Sequence, residues 1–252
     1  MSAEPPLIRV ENLSVGHGGS VLLGNITFEV RRGEILAVIG RSGCGKSTLL
    51  RHLAGLAEPP RGQILIGGAD LAAAQGRARR QLLRRVGLAF QGGALFGSMS
   101  LLENILLPIE ELTDIPAGAA RLIARMKLRL VGLAGRGNLL PSALSGGMRK
   151  RAAIARAMAL DPDLLLLDEP SAGLDPVASA GLAALVLRLS RSLGLAFVIV
   201  THDLAGLETL ADRCLMLGDA RDPVLALGPP AALRSHPDPR VREFFSPRPP
   251  AP

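Results

Sequence analysis

Between Gly40 and Ser47 the chain reads Gly-Arg-Ser-Gly-Cys-Gly-Lys-Ser, a fit to G-x-x-x-x-G-K-[ST]. An apolar run, Ile35 to Ile39, precedes it, and Thr48 to Leu53 has helical character up to Gly55. A glycine-rich loop between a buried strand and a helix belongs to an open α/β sheet, at the C-terminal end of a strand. The glycines let the backbone wrap so that N–H groups point at phosphate oxygens, assisted by the positive end of the following helix. The expected phosphate-binding set is Gly40, Ser42, Gly43, Cys44, Gly45, Lys46, Ser47 and Thr48. Lys46 is expected to reach the β- and γ-phosphates, and the Ser47 hydroxyl to ligate Mg²⁺.

A second segment fits the same chemistry. Leu164 to Leu167 is wholly apolar, as expected of a strand covered on both faces, and it ends in Asp168 and Glu169. A carboxylate at that end of the sheet can hold the water shell of Mg²⁺, so Asp168 joins Ser47 as a metal residue. Glu169 beside it is placed to accept a proton from an attacking water. Either segment alone has a bland explanation; the pair is specific.

Composition narrows the field. The 252 residues are 48% hydrophobic but only 2% aromatic, with six Phe and no Trp or Tyr, so the core is aliphatic. This excludes intrinsic disorder and a disulfide scaffold. The net charge of +7 suggests a phosphate-bearing or anionic partner, yet the scarcity of aromatic stacking platforms argues against single-stranded nucleic acid. Arg77, Arg79, Arg80, Arg84 and Arg85 form the densest basic cluster, readable as a solvated helix face or as a contact with anionic lipid or a membrane partner. Cys44 and Cys214 show no metal-ligand spacing and fit a reducing compartment. No signal peptide is expected at the N-terminus, and no apolar run reaches the length of a spanning helix.

Along the chain, Leu7 to Leu13, Val21 to Leu23, Ile26 to Val30 and Ile35 to Ile39 read as short strands, with Gly16 to Gly19 as turn material. A hairpin-like strand is expected at Gln63 to Ile66. From Arg77 to about Leu160 the pattern is helical, interrupted by a strand at Val86 to Phe90. Ser145 is a good helix N-cap. Further helices are expected at Ala178 to Arg191 and Leu204 to Ala211, and strands at Phe197 to Val200, Leu215 to Leu217 and Val224 to Ala226. Residues 246–252 read as a disordered, proline-rich tail.

The segment Leu144-Ser-Gly-Gly-Met148, placed 23 residues before Asp168 when counted from Ser145, completes a recognisable set. With the two segments above it resembles the nucleotide-binding domain of ABC transporters. That resemblance implies a P-loop NTPase of α/β class: a RecA-like mixed sheet, an antiparallel β subdomain and a helical subdomain at about residues 92–160, all in one domain over 1–245. It implies ATP and Mg²⁺, and a head-to-tail dimer in which Ser145, Gly146 and Gly147 face the partner's nucleotide. Gln91 matches the Q-loop glutamine that touches metal and attacking water. Asp175 matches the D-loop, and His202 the switch histidine. The position that stacks adenine is held by His17, 23 residues before Gly40.

Within the family, Phe90 to Phe96, Met148 to Ala153 and His236 to Phe245 are most similar to the ATPases of maintenance-of-lipid-asymmetry systems. These imply phospholipid movement between inner and outer membranes, a permease partner, an MCE-domain lipid-binding protein with room for a small accessory subunit, and a place at the cytoplasmic face of the inner membrane. An amino-acid or other small-solute importer is the alternative cargo reading. A cassette acting on nucleic acid or ribosomes fits less well, because the 98 residues from Ser47 to Ser145 carry no heptads.

Overall fold

The computed structural model describes residues 5–17, 20–204 and 206–245; the side chain of His17 and the expected tail at 246–252 lie outside the described part. The chain opens with an antiparallel hairpin, β1 (Ile8–His17) and β2 (Ser20–Val30). Two strands expected within residues 21–30 are thus one. Asn25 takes a left-handed φ of 52° inside it, which kinks β2 without ending it. Gly16 and His17, expected in a turn, are the last residues of β1; a Cβ on Gly16 would lie 1.8 Å from the Ser20 carbonyl, so only glycine allows so tight a return.

Next come β3 (Ile35–Gly40), α1 (Lys46–Leu53), β4 (Arg61–Ile66), the two-residue β5 (Ala69–Asp70), α2 (Gly76–Arg84) and β6 (Val86–Ala89). Three longer helices follow: α3 (Leu101–Leu112), α4 (Ala117–Leu130) and α5 (Gly146–Ala157). The chain then alternates through β7 (Leu164–Asp168), α6 (Pro176–Leu193), β8 (Ala196–Val200), α7 (Leu207–Leu210), β9 (Arg213–Leu217) and β10 (Val224–Gly228). It ends in α8 (Pro230–Arg234) and α9 (Pro239–Phe245).

The strands form two sheets, an antiparallel one ordered β2-β1-β4-β5 and a six-stranded one ordered β10-β9-β3-β8-β7-β6. The larger sheet is parallel except for β10. Its period-two alternation divides the core. Leu165, Leu167, Phe197 and Ile199 face the layer of α3 to α6, while Leu164, Leu166, Val198 and Val200 face α1 and the antiparallel sheet. All four leucines of β7 are fully buried, each contributing about 1.5–3 kcal/mol of hydrophobic stabilisation.

Helix ends follow local chemistry. The Ser100 hydroxyl accepts from the Glu103 amide while the Glu103 carboxylate accepts from the Ser100 amide, a capping box that starts α3. α6 begins two residues earlier than expected, because Asp175 caps it and Pro176 suits its first position. The helix expected over 204–211 shrinks to α7, with Ala205 outside the described residues. Lys127 of α4 is buried and meets the Asp161 carboxylate, tying the helical layer to the turn before β7.

Behind the phosphate loop, His52 is buried and bridges α1 to the hairpin. Its Nε2 accepts from the Gly16 amide at 3.3 Å, so the proton sits on Nδ1, 3.0 Å from the Ala57 carbonyl.

Candidate functional site

The parallel strands bring their C-terminal ends to one edge, and the loops there hold most of the expected residues. Gly40 ends β3 with φ 145°, and a Cβ there would meet the Leu217 carbonyl at 2.6 Å and Cys44 Sγ at 2.9 Å. Gly45, at φ 103°, is the N-cap of α1, so the helix starts at Lys46 rather than at Thr48 as expected. The first-turn amides of α1 have no helical partner and open toward the loop. Lys46 folds back over the loop, its ammonium donating to the carbonyls of Gly40 and Arg41 at 2.9 Å each.

Ser47, in the first turn of α1, donates to Asp168 Oδ1 at 2.9 Å. A hydroxyl and a carboxylate sharing one point offer the hard oxygen ligands that Mg²⁺ takes, so the residues present fit that ion. Glu169 follows in a left-handed conformation, φ 47°, held by its amide's bond to the Val200 carbonyl at 2.9 Å. Strained non-glycine backbone of this kind persists only where the surroundings enforce it. Glu169 Oε2 is buried, lacks a well-aligned hydrogen bond, and lies 2.8 Å from Nδ1 of His202. His202 itself projects into solvent from the turn after β8, where Asp203 bonds the Thr201 hydroxyl at 3.0 Å.

A cleft of about 320 Å³ joins these groups, lined by Ser42, Gly43, Gly45, Lys46, Ser47, Thr48, Gln91, Glu169 and His202. Leu22 of β2 completes the lining. Such a space can take a phosphate chain on amides and an ammonium, with a carboxylate base beside it.

Ser145, Gly146, Gly147 and Asp175 do not line this cleft. Ser145 caps α5 through the Met148 amide at 3.3 Å. Gly146 and Gly147 stand against Leu174 and Ala178, so the start of α5 and the start of α6 form one surface. The backbone of His17 pairs with Ser20, and the stacking role expected of its side chain lies outside the described part.

The place of Cys44 in the loop, near Lys46 and a helix N-terminus, predicts from sequence a lowered thiol pKa, and the structure reverses the direction. A helix N-terminus and Lys46 favour the thiolate, but burial outweighs them and raises the thiol above its ordinary 9.0. Burial alone pushes Cys214 up to about 12.

The set matches known proteins along most of its length. A family model for ABC transporters covers residues 23–172. The chain belongs to the ABC transporter family. It is 41% identical over 239 residues to the intermembrane phospholipid transport system ATP-binding protein MlaF of Haemophilus influenzae, covering 95% of this chain and 90% of that one. To the MlaF protein of Escherichia coli K12 the identity is 40%, covering 95% and 88%. A probable ribonucleotide transport ATP-binding protein, mkl of Mycobacterium leprae, is 39% identical over 96% of this chain and 69% of its own length. The fold matches cbiO1 of Clostridium perfringens, part of the ABC transporter complex cbiONQ, with TM-score 0.82, 27% identity and 92% of each chain covered. It also matches a dimeric ATP-binding cassette in a post-hydrolysis state bound to ADP and Pi, with TM-score 0.77, 26% identity and coverage of 88% and 98%.

The ABC cassette is an ATPase fold of P-loop NTPase type, and among its described residues no helix is long and apolar enough to cross a membrane. Sequence reading gave no role to Lys150, yet its ammonium donates to the carbonyls of Gln91 and, at 3.2 Å, Glu169. Burial lowers its pKa, opposed by the carboxylates of Glu169 and Asp168. No spacing rule marks such a residue, because its partners are backbone atoms 59 and 19 residues away. The basic cluster is partly structural: Arg79 donates to the carbonyls of Leu71 and Gly55, and Arg85 pairs with Asp163 at 2.6 Å.

Proposed function

We propose that two copies of this cassette, each spanning residues 1–245 with its helical subdomain over 92–160, close head to tail on two ATP molecules. Hydrolysis then drives a membrane permease that moves phospholipid between inner and outer membranes. The identity of 40–41% to two MlaF proteins over 95% of the chain carries the cargo assignment. On this reading the cassette sits at the cytoplasmic face of the inner membrane, with an MCE-domain lipid-binding protein and a small accessory subunit as further partners.

The catalytic reading follows from the cleft. Lys46 exchanges the Gly40 and Arg41 carbonyls for β- and γ-phosphate oxygens, and the loop amides hold the phosphate chain. Ser47, Asp168 and Gln91 would hold Mg²⁺, which when bound neutralises phosphate charge. Glu169 accepts the proton of the attacking water, its buried Oε2 being open to one more hydrogen bond. His202 swings between Glu169 and the γ-phosphate. Ser145, Gly146 and Gly147 complete the partner's site, Asp175 starts the helix beside them, and His17 stands where adenine packs. Val177, 82% exposed in the first turn of α6, is an apolar side chain that a second copy would cover.

The test is reconstitution. The cassette, co-purified with its permease and placed in vesicles, is expected to couple ATP hydrolysis to movement of a fluorescent phospholipid. Coupling to an amino acid or a ribonucleotide instead, with phospholipid unmoved, would overturn the cargo assignment.

A further inference from the structure

Three successive basic residues of α5 point three ways, as 100° per residue requires. Arg149 returns to the Leu144 carbonyl at 2.6 Å, and Arg151 lies near Gly132 and Gly181. Lys150 crosses to the nucleotide cleft and holds the carbonyls of Gln91 and Glu169 together. Those two residues belong to different strand ends, β6 and β7, and Glu169 is the one whose backbone is strained. A lysine that served only as a solvated charge would not be half-buried with its ammonium on two main-chain acceptors from separate strand ends.

We propose that Lys150 is a positioning residue that couples the two nucleotide sites of the dimer. The inference rests on the head-to-tail reading above. α5 carries Ser145, Gly146 and Gly147 at its start, toward the partner's nucleotide. Lys150 stands about 4.5 Å further along the same rigid rod, at 1.5 Å per residue from Gly147. A movement of α5 when the partner's nucleotide is engaged is thereby transmitted to Gln91 and Glu169 of its own chain. Each site becomes competent when the other is filled. The link is short and made of one helix, one ammonium and two carbonyls, so it needs no longer network.

The test uses the full-length chain with three variants, Lys150→Met, Lys150→Arg and Glu169→Gln, measuring ATP turnover against ATP concentration. Wild type is expected to be sigmoidal. Lys150→Met is expected to lower turnover about 10- to 100-fold through misplacement of the base, with half-saturating ATP within about twofold. Its Hill coefficient should fall to about 1, the value for uncoupled sites. Lys150→Arg, which keeps donors for both carbonyls, should restore both quantities. Thermal unfolding verifies that Lys150→Met is folded.

Wild-type turnover and Hill coefficient in Lys150→Met would overturn the coupling role, as would a Lys150→Arg variant no better than Met. A hyperbolic wild type that nonetheless dimerises with ATP would also overturn it. Failure of Glu169→Gln to dimerise on ATP would instead remove the head-to-tail reading itself.

Discussion

The Ser47 hydroxyl donates a 2.9 Å hydrogen bond to Asp168 Oδ1, joining residues 121 apart in the chain. The bond spans the sheet edge from the start of α1 to the end of β7, past the intervening strand β8. Ser47→Ala removes one oxygen of this pair and leaves the carboxylate. The Mg²⁺ concentration for half-maximal ATPase activity should rise about 10- to 100-fold, the usual cost of losing a group that orders a metal site. Titration of activity with Mg²⁺ at saturating ATP reads it; an unchanged midpoint would remove Ser47 from the metal's surroundings.

His52 ties the hairpin bearing His17 to the helix that follows the phosphate loop. Replacing it with alanine leaves the Gly16 amide and the Ala57 carbonyl without their partner and opens a cavity. A loss of about 2 kcal/mol or more in unfolding free energy is expected, from the cost of an unpaired buried group. Urea denaturation measures it, and a midpoint equal to wild type would show that the bridge is dispensable.

How far the sequence carried depends on where the signal is local. Gly40 to Ser47 and Leu164 to Glu169 are contiguous, and together they are diagnostic because the chemistry needs backbone amides and a strand-end carboxylate in a fixed order. The central strands, being wholly apolar, were legible for the same reason. Boundaries were less so: β2 reads as two strands because Gly24 and Asn25 look like a break, although the chain continues through both. Lys150 and His52 were silent because their partners are main-chain atoms that only the folded topology brings near. Cys44 was misjudged for a related reason. Sequence shows the neighbouring charge, but burial decides the sign.

That sign leads to a labelling experiment. A thiol raised above 9.0 is almost wholly protonated at neutral pH, so iodoacetamide should modify Cys44 more slowly than a free cysteine. The rate should climb as pH rises toward and past 9.0, because the thiolate fraction grows. On the proposed reading, in which the loop bearing Cys44 wraps phosphate, MgATP should protect it. Cys214, pushed up to about 12 and buried in β9, should stay unlabelled while the protein is folded. Rapid labelling of Cys44 at neutral pH would contradict the burial argument.

Glu169 carries the central claim, that a buried carboxylate at the end of β7 takes a proton from the water that attacks ATP. The most direct measurement is steady-state phosphate release by Glu169→Gln, set beside ATP binding and ATP-dependent dimerisation of the same variant. Glutamine keeps the size and the contact with the His202 turn but cannot accept the proton. Turnover should fall about 100-fold or more, the range lost with a general base, while binding and dimerisation persist. Phosphate release at the wild-type rate would contradict the account.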